Sequence, residues 1–235
     1  MGKILKEVTN SCEKYNLIEK NDKIAVGVSG GKDSVSMLKL LNEYSASSNI
    51  SFDIVAIYID MFNGQNNIET LQNFCKENQI ELHIEKTQIF DIVFNIRNEK
   101  NPCSLCSKMR NGNLHSKAKL LNCNKVALGH HADDLIETFF LSMIYENRLS
   151  TFKPKTYLDR RDITIIRPLI KVFETQIVDY HLSNKLPLIK NPCPADKKTK
   201  RETVKKQIDL MNKTFPNSKK SIYSSIVNKN RYNLF

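Results

Sequence analysis

The stretch Ile24–Ser34, IAVGVSGGKDS, decides the fold of this chain. Its first half is a short apolar run typical of a buried strand. Its second half is a glycine turn, and helically spaced apolar residues follow it, among them Met37, Leu38 and Leu41. A strand, a glycine turn and a helix in this order direct backbone N–H groups and the positive end of a helix toward an anion. The stretch therefore predicts a cradle for phosphate groups.

Six residues of the turn are the candidate phosphate ligands: Ser29, Gly30, Gly31, Lys32, Asp33 and Ser34. The glycines allow close backbone approach, the serines add hydroxyl donors, and the lysine adds a positive charge. The turn is not a P-loop, because Gly27 is too close to the Gly-Lys pair and an aspartate follows the lysine. It resembles instead the SGGxDS pyrophosphatase loop of enzymes that split ATP into AMP and pyrophosphate. The alternative is a strand-to-helix turn without a ligand.

Composition and charge indicate a globular protein with a basic surface. The 235 residues are 40% hydrophobic and 26% charged, and no run of about 18 apolar residues predicts a membrane span. The N-terminus lacks a signal-peptide core, so we expect a cytoplasmic protein without a membrane partner. The net charge is +11, and residues 196–235 hold eleven Lys or Arg against three Asp or Glu. This asymmetry favours a polyanion such as RNA, although a solvated lysine-rich surface is the alternative.

Apolar runs and helical periodicity alternate along the chain. They predict strands at 24–28, 52–59, 81–85, 124–129 and 163–166, and helices at 3–18, 33–46, 67–78, 104–121, 132–146, 174–184 and 199–213. The polar stretch 217–235 allows one more helix. This alternation predicts an α/β fold with a doubly wound, parallel, five-stranded sheet and a helical C-terminal extension.

We expect two parts. Residues 1–150 would form the N-terminal helix and the nucleotide-binding domain, and residues 151–235 the last strand and a basic helical extension that faces RNA. In doubly wound sheets, ligands bind beyond the carboxyl ends of the strands. Ser29, Asp60 and the segment Gly129–Asp134 all follow predicted strands, so we expect them to line one pocket.

The six cysteines should be reduced in a cytosolic chain. Cys103 and Cys106 form a CxxC at the start of a helix, and Cys193, in an Asn-Pro-Cys-Pro sequence, is the plausible third ligand. Three thiolates without an evident fourth suit an iron–sulfur cluster with one open iron. Two alternatives stay open: a zinc half-site completed by His115 or by another chain, and inert cysteines. We interpret the remaining cysteines, Cys12, Cys75 and Cys123, as packing residues.

The sequence Gly129-His130-His131-Ala132-Asp133-Asp134 combines a strand end with a helix start. Adjacent residues do not share a helix face, so these side chains cannot all bind one ion. One aspartate would favour the helix dipole, and the other would bind Mg²⁺ together with phosphate oxygens.

Taken together, SGGKDS, CSLCSKMRNG, LGHHADDLIET, IRPL and the late Cys-Pro resemble the tRNA 2-thiocytidine synthetase family of sulfur transferases. The resemblance covers about residues 20–210. It implies an adenine nucleotide alpha hydrolase-like fold, a tRNA substrate, a sulfur donor (sulfide or a cysteine desulfurase) and a homodimer. In this family ATP, with Mg²⁺, adenylates the C2 oxygen of a cytidine, and sulfur then replaces that oxygen.

The resemblance also implies residue roles. ATP would bind the six residues of the turn, with Asp60, Gly129 and His130 near the adenine. A [4Fe–4S] cluster would be held by Cys103, Cys106 and Cys193. Catalytic roles would fall to Lys32, Asp133 and Arg110.

Two further hypotheses concern the second half of the chain. Asp196 stands where the family usually has a last cysteine, and we expect it to reach the open iron. A track for RNA would be formed by Arg148, Lys153, Lys155, Arg160, Arg161 and the basic run 197–206.

The alternative functions are lysidine-type amine ligation to tRNA, a zinc-dependent RNA-binding module, and thiolation of a small molecule. The cysteines speak against the first, the intact loop against the second and the basic tail against the third.

Overall fold

Six strands form one sheet that carries helices on both faces. The computed structural model describes residues 2–99, 101–190, 192–194 and 199–228. The strands are β1 Lys23–Val28, β2 Asp53–Asp60, β3 Leu82–Lys86, β4 Lys125–Ala127, β5 Lys155–Leu158 and β6 Ile163–Ile166. The helices are α1 Lys3–Lys14, α2 Lys32–Ser47, α3 Glu69–Glu77, α4 Pro102–Leu120, α5 Ala132–Glu146, α6 Glu174–Ser183, α7 Lys200–Thr214 and α8 Ser218–Val227.

The strand order is β3-β2-β1-β4-β6-β5, and every neighbouring pair is parallel except β5 with β6. The chain winds outward from β1 in one direction and from β4 in the other. The switch point between these two strands is where doubly wound sheets bind ligands. The expected fold class is confirmed, with one correction: the sheet has six strands rather than five, and the additional strand β5 is antiparallel.

The apolar runs of β1 and β2 are buried on both faces of the sheet, as is usual for central parallel strands. Ile24, Val26 and Val28 pack with α1, α2 and α6 on one face. Ala25 and Val55 pack with α4 on the other face. The central position of β1 places its carboxyl end, where the glycine turn begins, in the middle of the sheet edge.

A third apolar cluster joins the C-terminal helices to the sheet domain. Ile136 of α5 contacts Val204 and Ile208 of α7, and α8 packs against the same helix α5. The strands β5 and β6 lie beyond residue 150 and belong to the one sheet. The division of the chain at residue 150 stays a prediction.

Some element ends differ from the predicted ones. The helix α1 ends at Lys14 instead of residue 18, because Asn16 adopts a left-handed conformation with φ 47°. A π-helical turn at Asp91–Ile96 was not predicted. Within the described ranges, no helix combines the length and the apolar character needed to cross a membrane.

Candidate functional site

The glycine turn is closed by its own serines. The Ser34 hydroxyl donates to the Gly31 carbonyl oxygen at 2.9 Å and accepts from the Ser29 N–H at 3.1 Å. Gly31 is the N-cap of α2, so the helix begins at Lys32. The turn therefore presents a helix N-terminus beyond the end of β1, as a phosphate cradle requires.

Gly30 is where a segment from the C-terminal half meets the turn. Its φ is +81°, and a Cβ atom at this position would lie 2.6 Å from the Cβ of Ile189. The Ile189 N–H donates to the Gly30 carbonyl oxygen at 2.9 Å. Only glycine fits this backbone conformation and this close approach. The segment that leads toward Cys193 is thereby attached to the phosphate cradle.

The loop after β4 lies beside the glycine turn, and the two loops border the crevice where a ligand is expected. A Cβ atom on Gly129 would lie 3.3 Å from the Ser34 nitrogen, so the two loops are in close contact. Asp134 accepts from the His131 N–H at 3.0 Å and caps the start of α5. The helix-capping role considered for one of the two aspartates falls to Asp134.

Asp133 is buried, and its carboxylate accepts hydrogen bonds from two groups. It accepts from the Glu174 N–H at 2.7 Å and from the Lys219 ammonium at 2.8 Å. Lys219 also pairs with Asp209 at 2.7 Å. In this structure Asp133 thus holds the beginning of α6 and the helix α8 together.

Asp60 shapes the loop beyond β2. Its carboxylate accepts from the N–H groups of Phe62 and Gly64, and it is only 3% exposed. The Asp60 side chain therefore orders the backbone at this edge, where the adenine of ATP is expected to bind.

Lys32 is held by two carboxylates. Its ammonium lies 3.0 Å from Asp33 and 2.9 Å from Glu174, and Glu174 also accepts from Lys205 of α7. Burial alone would raise the pKa of Glu174, but the hydrogen bonds from Lys205 and Lys32 outweigh it and lower the pKa to about 2. Sequence reasoning missed Glu174, which belongs to no motif, and assigned Lys205 to an RNA track.

Of the three cysteines expected to bind a cluster, Cys106 lies beside the end of β2. The Cys106 thiol lies 3.8 Å from the sulfur of Met61, which follows β2 directly. Burial raises the pKa of Cys106, and the neighbouring Cys193 and Cys103 raise it further. Cys12, Cys75 and Cys123 are buried, as expected for packing residues.

The donor chemistry of these cysteines fits an iron–sulfur group, because iron–sulfur clusters are held by thiolates. Among the described residues, no three His, Cys, Asp or Glu side chains are arranged to hold a metal ion. Asp196 lies outside the described residues.

Arg110 and His115 lie on the same helix α4 as the CxxC. Burial lowers the pKa of the Arg110 guanidinium, and the Cys106 thiol partly offsets this effect. His115 is nine residues beyond Cys106 in a continuous helix, which places it about 13 Å further along the axis. A zinc ion needs its ligands within about 2.3 Å. The hypothesis that His115 completes a zinc half-site with the CxxC is therefore wrong.

His130 forms a small cluster at the end of β4 and β6. Its ring lies 5.0 Å from the ring of Phe152, and its Nδ1 accepts from the Arg167 guanidinium at 3.3 Å. Burial lowers the pKa of His130 to about 4. The ring is therefore neutral at physiological pH, with its proton on Nε2. Arg167, from the IRPL sequence, is a site residue that sequence reasoning did not single out.

The residues of the expected RNA track have different local partners in the structure. Lys155 donates to the Asn16 carbonyl oxygen, near the amino end of β1. Arg161 donates to Ser116 on α4, and Arg148 pairs with Glu146. The side chains of Lys153 and Arg160 are exposed. A continuous track through all five side chains stays a prediction.

A strand-to-helix turn of this form at the centre of a doubly wound sheet defines a PP-loop protein. The family model described as the PP-loop domain matches residues 3–211, and the chain belongs to that family. Relatives that are 35% and 36% identical over most of the chain show that, within it, the chain belongs to the tRNA 2-thiocytidine synthetase family, as the motifs predicted.

Two curated relatives support this assignment. A tRNA-cytidine(32) 2-sulfurtransferase 2 of Francisella tularensis subsp. holarctica is 36% identical, with 96% of this chain and 85% of the relative covered. A tRNA-cytidine(32) 2-sulfurtransferase of Aliivibrio fischeri is 35% identical, with 96% and 74% covered.

Solved structures agree with the fold. The U34-tRNA thiolase NcsA from Methanococcus maripaludis, solved with its [4Fe-4S] cluster, superposes with a TM-score of 0.76 at 27% identity, covering 95% of this chain and 78% of that chain. An NH3-dependent NAD synthetase from Campylobacter jejuni shares the fold, with a TM-score of 0.54 at 17% identity and 96% and 91% of the chains covered.

Proposed function

We propose that the protein is an ATP-dependent tRNA thiolase that replaces the C2 oxygen of a cytidine with sulfur. One observation carries the proposal beyond family membership: the hydrogen bond from Ile189 to Gly30 attaches the segment leading to Cys193 to the phosphate cradle. Cys193 in turn lies close enough to Cys106 to raise its pKa. The group that activates the base and the group that delivers sulfur would thus share one edge of the sheet.

The phosphate cradle performs the activation step. The turn at Ser29–Ser34 and the ammonium of Lys32 would bind the phosphates of ATP, with Asp60, Gly129 and His130 around the adenine side of the crevice. The cytidine O2 attacks the α-phosphorus, and the bond to the β-phosphate oxygen breaks, so pyrophosphate leaves. An amide-like oxygen is a poor leaving group, whereas an adenylated one departs as AMP. Lys32, together with Mg²⁺, would offset the charge that builds on the pyrophosphate.

The cysteines supply the other half of the site. Cys103, Cys106 and Cys193 would hold a [4Fe–4S] cluster, and when bound this group would carry the sulfur that the donor supplies to the activated base. Arg110, one helical turn beyond Cys106, would contact the target base or its phosphate. Asp133 would bind Mg²⁺ only after exchanging its present contacts with Lys219 and Glu174.

We also propose a cytoplasmic location, a sulfur donor that is sulfide or a cysteine desulfurase, and a homodimer. These proposals rest on the family and on the composition of the chain. Size-exclusion chromatography with light scattering tests the dimer, and single-turnover thiolation with each donor tests the sulfur source.

The decisive experiment is nucleoside analysis of tRNA from a strain that lacks the gene. We expect 2-thiocytidine to disappear and to return when the wild-type gene is supplied, but not when the Lys32→Ala variant is supplied. An unchanged 2-thiocytidine content in the deletion strain contradicts the proposed function.

A further inference from the structure

We propose that Lys205 of α7 is a second lysine of the phosphate site and binds the β- and γ-phosphates of ATP and the released pyrophosphate together with Lys32. This inference rests on the proposed function, which makes the turn at Ser29–Ser34 an ATP site. It gives helix α7 a role in binding the phosphates of ATP.

The geometry of one carboxylate carries the inference. The Oε1 atom of Glu174 lies 2.9 Å from the Lys32 ammonium and 2.9 Å from the Lys205 ammonium. The two nitrogens are therefore no further apart than twice that distance. A single phosphate, or two adjacent phosphates of ATP, can bridge two ammonium groups at such a spacing. Glu174 occupies the position between them that a phosphate oxygen would take.

The pair is accessible to a ligand. The side chains of Lys32 and Lys205 are 29% and 30% exposed, and Glu174 is 19% exposed. Two like charges this close repel unless an anion bridges them. In the structure the bridging anion is Glu174, and a triphosphate with several negative charges would compete for the same two ammonium groups.

Contacts other than the Lys205–Glu174 pair also attach α7 to the domain. Val204 and Ile208 bury the apolar side of α7 against Ile136. Arg201 at the beginning of α7 pairs with Glu137 of α5 at 3.0 Å. These contacts also hold the helix in position, so the Lys205–Glu174 pair is one of several attachments of α7.

Titration of the purified full-length protein with inorganic pyrophosphate tests the inference without tRNA. We expect Lys205→Gln to bind pyrophosphate about tenfold more weakly, because a charge-assisted contact is lost. Lys213→Gln is the control, because Lys213 is an exposed lysine of the same helix, and we expect it to bind like the wild type. Glu174→Gln removes the competing anion, so we expect pyrophosphate to bind at least as tightly as to the wild type.

The expected changes in pyrophosphate affinity differ between Lys205→Gln and Glu174→Gln, and this difference separates a ligand-binding role of Lys205 from a structural one. If Lys205 and Glu174 only stabilise the fold as an ion pair, both variants lose affinity and melting temperature together, and that result overturns the inference. Wild-type affinity in Lys205→Gln overturns it as well, and leaves the proposed thiolation intact. A wild-type protein that binds neither pyrophosphate nor ATP overturns both proposals.

Discussion

The backbone N–H of Ile189 donates a hydrogen bond to the carbonyl oxygen of Gly30 over 2.9 Å. The two residues are far apart in sequence, yet this contact joins the phosphate cradle to the segment that carries Cys193. Because the bond is between backbone atoms, it depends on the conformation of Gly30 more than on any side chain. The contact would make the proposed ATP-binding half and the proposed cysteine half of the site parts of one structure.

Gly30→Ala should damage this junction. Alanine at this position would have to adopt a positive φ, and its Cβ atom would lie 2.6 Å from the Ile189 Cβ. We therefore expect a loss of about 2 kcal/mol or more in unfolding free energy. Gly31→Ala is the matched control, because its Cβ would meet only the Ser29 hydroxyl at 3.4 Å. Urea unfolding of both variants measures the difference. Equal stabilities would show that the Ile189 contact does not constrain Gly30.

Replacing any one of Cys103, Cys106 and Cys193 by serine should abolish iron binding. Each thiolate is one of only three expected ligands, so its loss leaves the cluster labile. Iron content and visible absorption of anaerobically purified protein measure the effect, and 2-thiocytidine formation should fall with them.

The control for the cysteine series is Cys123→Ala, because Cys123 is buried next to the amino end of β4, whereas Cys106 lies beside Met61 at the carboxyl end of β2. We expect this variant to retain iron. A Cys193→Ser protein with full iron content would refute the three-cysteine assignment, and colourless wild-type protein with stoichiometric zinc would refute the cluster.

A buried ion pair at the opposite edge of the sheet should control stability. Lys125 and Asp22 are each 4% exposed and lie 2.7 Å apart. Lys125→Met leaves the Asp22 carboxylate buried without its cation, so we expect a loss of about 3–5 kcal/mol. The exposed pair of Lys119 with Asp162 is the comparison, and Lys119→Met should cost less than about 1 kcal/mol. Chemical unfolding at neutral pH measures both, and similar small losses would contradict this view of Lys125.

His130 should make stability fall in mild acid. Burial lowers the pKa of its imidazole from 6.5 to about 4. Between these values the unfolded chain binds a proton at His130 and the folded protein does not, so the unfolding free energy decreases as the pH falls from about 6.5 toward 4. His130→Gln should lose this component, which amounts to about 2 kcal/mol between pH 7 and pH 5. Unfolding curves at several pH values measure it, and identical pH slopes for the two proteins would contradict the neutral, buried imidazole.

Much of the fold could be predicted because its signals are local. The continuous apolar runs of β1 and β2 indicate strands buried on both faces, and the glycine turn marks the end of β1. The strand β5 was missed because its four residues, KTYL, are only partly buried and pair with β6 at the edge of the sheet. Pairing of this kind depends on a neighbouring strand and leaves no apolar run in the sequence.

The sequence by itself determined the chemistry of this protein: a turn built for phosphates, and three cysteines of the kind that bind iron and sulfur. These features are properties of residue type and short spacing. Only the tertiary structure decided which groups meet. It placed Cys193 near Cys106, directed Asp133 to Lys219, and brought Lys205 from the basic tail to the carboxylate that also holds Lys32. These contacts join residues distant in the chain, and they are fixed by how the helices pack on the sheet, which short-range patterns do not specify.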